Sequence, residues 1–232
     1  MFKLIIFDFD GTIFDTYEAI SHCARLTFET LTPSATPPSA ELRRLISKGA
    51  ALAEAFRLLH PDQQATFDAE TWTNTYRALY AQHGQALSKP YAGLRLVLDA
   101  LKAANIRIAI VSNKVTDSIK TALKQLDLLD EFPEPLIIGD NIEGSQRKPH
   151  PVSYMDILLP RYRALYGEEA LRPEEVLMVG DTVTDILYAR NVGMKVCWCR
   201  YGQGDAEECE ALKPEFTIDD LEGVLEVAMG SR

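Results

Sequence analysis

No apolar run in this chain approaches the ~18 residues that a membrane-spanning helix requires, so no membrane partner is expected. Cysteine is scarce: Cys23, Cys197, Cys199 and Cys209 are the only four in 232 residues. They are too scattered for a disulfide framework, and a chain of this length can build a core without one. Cys197 and Cys199 flank Trp198 on an apolar segment. With no matching His or Cys pair nearby, they read as buried thiols rather than metal ligands. Positive charge is also short: 24 Lys and Arg face 34 Asp and Glu, a formal net charge of −10. That balance excludes nucleic acid as the main partner. It leaves small anions open, because a bound metal and a few local cations reverse the field of a single site. There are no repeats, and the sole biased tract is TPSATPPS at 32–39. No basic-then-apolar leader opens the sequence. Together these absences predict a reduced, cytoplasmic protein.

The remaining composition, 47% apolar and 25% charged, is ordinary for a globular protein. Five β-rich segments stand out: Leu4–Phe7, Ile106–Val111, Leu136–Ile138, Val176–Val179 and Lys195–Cys197. Helical patterns separate most of them; Leu94, Leu98 and Leu101 share one face, and Ile119, Leu123 and Leu126 another. Short apolar strands alternating with helices predict an α/β fold: a Rossmann-like parallel sheet covered on both sides. Four strands end in polar residues, namely Asp8, Ser112, Asp140 and Asp181. Ligands of such sheets bind at the carboxyl ends of the strands.

Residues 16–88 contain no convincing strand. They read as helices broken at 32–39 and at His60–Pro61, with Asp15 or Thr16 capping the first. The expected organisation is a catalytic core of residues 1–15 and 89–232, with a helical cap domain, 16–88, inserted after the first strand. His22, His60 and His83 read as surface or helix-face residues.

The densest signal is KLIIFDFDGTIFD at 3–15. A buried strand rarely ends in two carboxylates without a use for them, because unpaired buried charge is costly. Asp8 and Asp10, spaced by two at the end of that strand, are expected to point to the same face and form a dense negative site. Such a site invites a divalent cation, and a carboxylate there can act as a nucleophile. Three further elements accompany it: VSNK at 111–114, RKPHP at 147–151 and GDTVTD at 180–185. In this order and spacing the four motifs resemble the haloacid dehalogenase-like hydrolases, in their phosphatase branch. The resemblance covers essentially the whole chain.

That resemblance implies a role for each motif. Asp8 would attack phosphorus and form an aspartyl-phosphate. Asp10 would protonate the leaving alkoxide and then deprotonate water. Mg2+ would be held by Asp8, the backbone carbonyl of Asp10 and Asp181, with Asp185 in support. Ser112 would bind the transferring phosphoryl group, and Lys148 would neutralise both it and Asp8. Gly11, Thr12 and Asn113 are further candidates for substrate binding, with Gly11 letting backbone approach the site. Asn113 also fits a turn or cap role, and Asp140 fits a structural role in its loop.

Asp10 disfavours the dehalogenase and phosphonate-cleaving branches, which lack the second aspartate. Sugar-phosphate mutases carry a histidine twelve residues after the nucleophile; Ile20 stands there in this chain. A mutase, or a non-catalytic phosphate-binding or regulatory protein on the same scaffold, is the alternative reading. The turn Ser47–Lys48–Gly49–Ala50 resembles the specificity loop of phosphoglycolate phosphatase-like proteins, but departs from their more apolar, proline-containing sequence. Lys48 is the candidate contact for a substrate carboxylate or second phosphate, with Arg43 and Arg44 adding charge. The expected partner is a small phosphorylated metabolite, and the expected assembly a monomer or homodimer. The segment Leu159–Glu169 lengthens the usual stretch before the fourth motif.

Overall fold

The computed structural model describes residues 2–61, 67–167 and 171–230. Glu168 and Glu169, which end the Leu159–Glu169 segment, lie outside the described residues. The chain opens with β1 (Leu4–Phe7) and β2 (Phe14–Asp15). Four helices follow: α1 (Tyr17–Leu31), α2 (Ser39–Ser47), α3 (Leu52–Leu59) and α4 (Ala69–Leu79). A helical turn at Tyr80–Leu87 leads into β3 (Lys89–Pro90) and α5 (Leu94–Ala103). Then come β4 (Arg107–Val111), α6 (Thr116–Gln125), β5 (Ile137–Ile138), α7 (Leu159–Tyr166) and β6 (Val176–Gly180). The chain ends with α8 (Val183–Val192), β7 (Lys195–Cys199), α9 (Ala206–Ala211), β8 (Phe216–Ile218) and α10 (Gly223–Met229).

Among the described residues, six parallel strands form one sheet in the order β5-β4-β1-β6-β7-β8. Every residue of β1 is fully buried. Its alternate side chains enter two cores: Ile5 and Phe7 pack with α5, α6 and α10, while Leu4 and Ile6 pack with α8. Burial on both faces is why these strands read as unbroken apolar runs. The expected Rossmann-like sheet is therefore present, with differences at its margins. The edge strand β8 was not expected, because three residues centred on Thr217 give too short an apolar signal. β5 shortens to two residues because Glu134–Leu136 form a 3₁₀ turn. Leu126 follows the end of α6 and is 39% exposed rather than part of its buried face.

The helices α1–α4 surround a third core of their own, centred on Phe28, Phe56 and Trp72. The Phe28 and Trp72 rings meet edge-on with centroids 4.8 Å apart. His60 is buried, with its ring 5.3 Å from that of Trp72. It is not a surface histidine, since it closes the gap between α3 and α4. The helical segment leaves and rejoins the sheet through a small antiparallel ribbon, Phe14 opposite Pro90 and Asp15 opposite Lys89. Thr16 is the N-cap residue of α1 but makes no side-chain cap bond; the preceding Asp15 Oδ1 accepts from the Tyr17 N–H at 3.2 Å instead.

Candidate active site

The site forms where β1, β4 and β6 end side by side. β1 stops at Phe7, and the Asp8 N–H donates to the carbonyl of Val179 at 2.9 Å. The chain then turns, with the Phe9 carbonyl accepting from the N–H groups of Ile13 and Phe14. Strand alternation therefore does not place Asp10 beside Asp8; the turn does. Gly11 has φ +77°, and a Cβ there would lie 2.2 Å from Asp181 Oδ2. Only glycine allows the turn to lie this close to Asp181.

Four charged groups converge behind this turn. Lys148 Nζ lies 2.6 Å from Asp185 Oδ1 and 2.9 Å from Asp8 Oδ1, and its side chain is 2% exposed. The Asp8 contact is a charge contact without hydrogen-bond alignment, which leaves Asp8 Oδ1 buried without a donor. Asp181 Oδ1 accepts from the Thr12 hydroxyl at 3.0 Å, and its Oδ2 accepts from the Gln203 N–H at 2.7 Å. Asp185 Oδ2 accepts from the Thr182 N–H and hydroxyl, so this residue also caps α8.

Thr12 is thus placed as a support for Asp181. Its hydroxyl is fully buried and engaged with Asp181.

One oxygen from each of Asp8, Asp181 and Asp185 falls within 4.8 Å of the others, and all three residues are buried. Three carboxylates against one ammonium leave an excess of negative charge in a dry site. Burial raises the Asp8 carboxyl, Lys148 opposes it and Asp185 adds to it, and the result is pushed up to about 6. Burial, then Asp185 and Asp8, hold Asp181 well above the carboxylate range. Burial works against the Lys148 ammonium, but Asp185 and Asp8 outweigh it and keep it charged. Hard oxygen donors, net negative charge and a donorless Asp8 oxygen fit a divalent cation.

The end of β4 supplies the opposite wall. Ser112 is buried, and its hydroxyl oxygen accepts from the Lys114 N–H at 3.3 Å. The Asn113 carboxamide grips the Lys148 backbone from both sides. Its Oδ1 accepts from the Lys148 N–H at 2.8 Å, and its Nδ2 donates to the Lys148 carbonyl at 3.1 Å. Asn113 thus positions the lysine loop, in keeping with its turn role, and it also lines the cavity beside Ser112. Asp140 pairs with Arg147 at 2.7 Å, consistent with a structural role in its loop.

Lys114 is the residue that sequence reasoning missed, although it ends the quoted VSNK motif. Its buried ammonium lies 2.9 Å from Asp10 Oδ1 and 2.9 Å from the Tyr80 hydroxyl. Asp10 is thereby fixed by a core lysine, which in turn touches the helical segment. The signal available in the sequence was a lysine two residues beyond a strand-end serine, too common to single out.

Lys48 takes a different place from the one expected. Its ammonium pairs with Glu208 at 2.9 Å, with both side chains about 40% exposed. It does not line the cavity of about 200 Å3 between the helical segment and the sheet, which Asp8, Asp10, Ser112 and Lys148 do line. Arg43 donates to the Tyr17 hydroxyl, and Arg44 pairs with Glu41. All three cations are thus engaged away from Asp8, Asp10 and Lys148.

This sheet, with its aspartates and buried lysine at the strand ends, defines a class of hydrolase. Residues 5–199 match the family model of the haloacid dehalogenase-like hydrolases. The chain belongs to that family. It is 29% identical to a phosphoglycolate phosphatase of Vibrio vulnificus strain YJ016, over 99% of this chain and 97% of that protein. It is 28% identical to the pyrophosphatase PpaX of Halalkalibacterium halodurans, over 96% and 95% of the two chains. A haloacid dehalogenase-like hydrolase structure from Bacteroides fragilis superposes with a TM-score of 0.79 at 26% identity, covering 97% of this chain and all of that one. The chain is an enzyme of the phosphatase kind found among these relatives.

Proposed function

We propose that the protein hydrolyses a small phosphate monoester through an aspartyl-phosphate on Asp8. The observation that carries this reading is the placement of Lys148 between Asp8 and Asp185, beside Asp181 and facing the same cavity as Asp10. In the first step an Asp8 carboxylate oxygen attacks phosphorus, the bond from phosphorus to the leaving oxygen breaks, and Asp10 gives that oxygen its proton. In the second step Asp10 takes a proton from water, the water oxygen attacks phosphorus, and the Asp8 carboxylate leaves. Lys148 neutralises charge on Asp8 and on the phosphoryl oxygens, and the Ser112 hydroxyl donates to one of those oxygens. Asp8, the Asp10 carbonyl and Asp181 would hold Mg2+, with Asp185 orienting Lys148 beside them. When bound, the cation supplies charge neutralisation between the nucleophile and the phosphoryl group.

Residues 16–88 serve as a cap that closes over the cavity and excludes water. Ile20 lines that cavity at the position where mutases carry a histidine, which favours transfer of the phosphoryl group to water. The phosphoglycolate and pyrophosphate in the names of the relatives both fall within the substrate class of small phosphorylated metabolites. The test is p-nitrophenyl phosphate turnover with and without Mg2+. Metal-dependent release that disappears in Asp8→Asn supports the reading. No turnover of any ester in a phosphate panel would favour a non-catalytic phosphate-binding role.

A further inference from the structure

The cavity has two unlike ends. The sheet end carries the charged groups described above. The opposite end is built by one face of α2 and one of α3, because Leu42, Leu45 and Ile46 fall on one helical stripe and Leu52, Phe56 and Leu59 on the other. Ile20 and Tyr76 continue this wall from α1 and α4. A space bounded by such side chains forfeits their dispersion contacts unless something apolar fills it.

Its cations do not suit a second anion. Lys114 is engaged with Asp10 and Tyr80, Arg147 with Asp140, and Lys148 with Asp8 and Asp185. Among the described residues that line the cavity, Arg77 is the one cation with no hydrogen bond or ion pair, and its side chain is exposed. A carboxylate or second phosphate against the α2–α3 wall would lose its water without gaining a buried partner.

We infer that the leaving group of the substrate is predominantly apolar, a branched-alkyl or arylalkyl alcohol seated against the half-buried Ile20, Ile46, Ala50, Leu52 and Ala55, which the buried Leu45, Phe56 and Tyr76 back from behind. The inference rests on the hydrolase reading and narrows its substrate class. It sets this chain apart from relatives named for phosphoglycolate and pyrophosphate.

The experiment compares kcat/KM for ethyl, 3-methylbutyl and 2-phenylethyl phosphate with that for phosphoglycolate. The three alkyl esters have leaving alcohols of similar basicity, so differences among them report the pocket. The expected result is a rise of about tenfold or more from ethyl to 2-phenylethyl phosphate, in line with the gain from burying several apolar carbons. Ile46→Lys, or Leu52→Lys should the first variant fail to fold, is expected to erase that rise. A phosphoglycolate preference that disappears in Arg77→Ala would overturn the inference while leaving the hydrolase reading standing. If no ester is turned over, the hydrolase reading fails, and calorimetry on the wild-type protein decides the pocket separately. Tighter binding of 2-phenylethyl phosphate than of phosphoglycolate supports the apolar wall as a ligand site, and equal or weaker binding overturns it.

Discussion

Lys148 Nζ and Asp185 Oδ1 lie 2.6 Å apart with almost no solvent access to either side chain. This pair anchors the ammonium while leaving it within 2.9 Å of Asp8. Substituting Lys148→Met leaves two neighbouring carboxylates without their cation. The expected outcome is loss of turnover to assay background together with a destabilisation of about 3–5 kcal/mol, the usual cost of breaking a buried pair. Chemical denaturation and p-nitrophenyl phosphate hydrolysis measure the two effects separately.

Asp8 carries the opposite problem, since burial pushes its carboxyl up to about 6. A carboxyl whose folded value lies above its unfolded value favours the folded state when protonated. Its contribution to stability is therefore fully present below about pH 4 and is lost as the pH rises through about 6. Asp8→Asn removes that loss. In metal-free protein the variant is expected to melt a few degrees above wild type at pH 8, with the difference shrinking toward pH 4.5. A thermal-melt series across that range checks the sign. Mg2+ is expected to stabilise wild type more at pH 8 than at pH 5, because at the lower pH it must displace protons from Asp8 and Asp181.

Asp10→Asn is expected to leave the fold intact, because Asp10 is partly exposed and its ion-pair partner Lys114 keeps Tyr80. Loss of acid-base assistance lowers turnover by about 10²- to 10⁴-fold. The loss should be larger for an alkyl phosphate than for p-nitrophenyl phosphate, whose leaving group needs little protonation. Equal losses on the two substrates would contradict the acid role. Lys114→Met is expected to show a weaker version of the same pattern, since it frees the Asp10 carboxylate without removing it.

Lys48→Ala is expected to alter stability by no more than about 1 kcal/mol, as befits an exposed pair with Glu208. It should not raise KM for phosphoglycolate selectively over p-nitrophenyl phosphate. A selective rise would restore Lys48 as a substrate contact.

Much of this architecture was legible in the sequence. The strands β1, β4, β6 and β7 announce themselves because burial on both faces demands unbroken apolar runs, and Asp8, Ser112 and Asp181 follow three of these runs directly. The helical breaks at 32–39 and His60–Pro61 were equally plain. What escaped was fixed by tertiary contact. Lys114 reaches Asp10 only because β1 and β4 are neighbours in the sheet. The sequence does not say what the Thr12 hydroxyl and the Asn113 carboxamide hold, and only the fold turns them toward Asp181 and the Lys148 backbone. Lys48 sits in the expected turn, yet its partner lies on α9, beyond the last recognisable motif.

The most direct measurement is rapid acid quench of the enzyme during turnover of a 32P-labelled ester, with the labelled peptide identified by mass spectrometry. The account predicts a transient acyl-phosphate on Asp8 that forms and decays at rates compatible with kcat and is absent in Asp8→Asn. Label on any other residue, or full turnover with no labelled protein at any quench time, would contradict it.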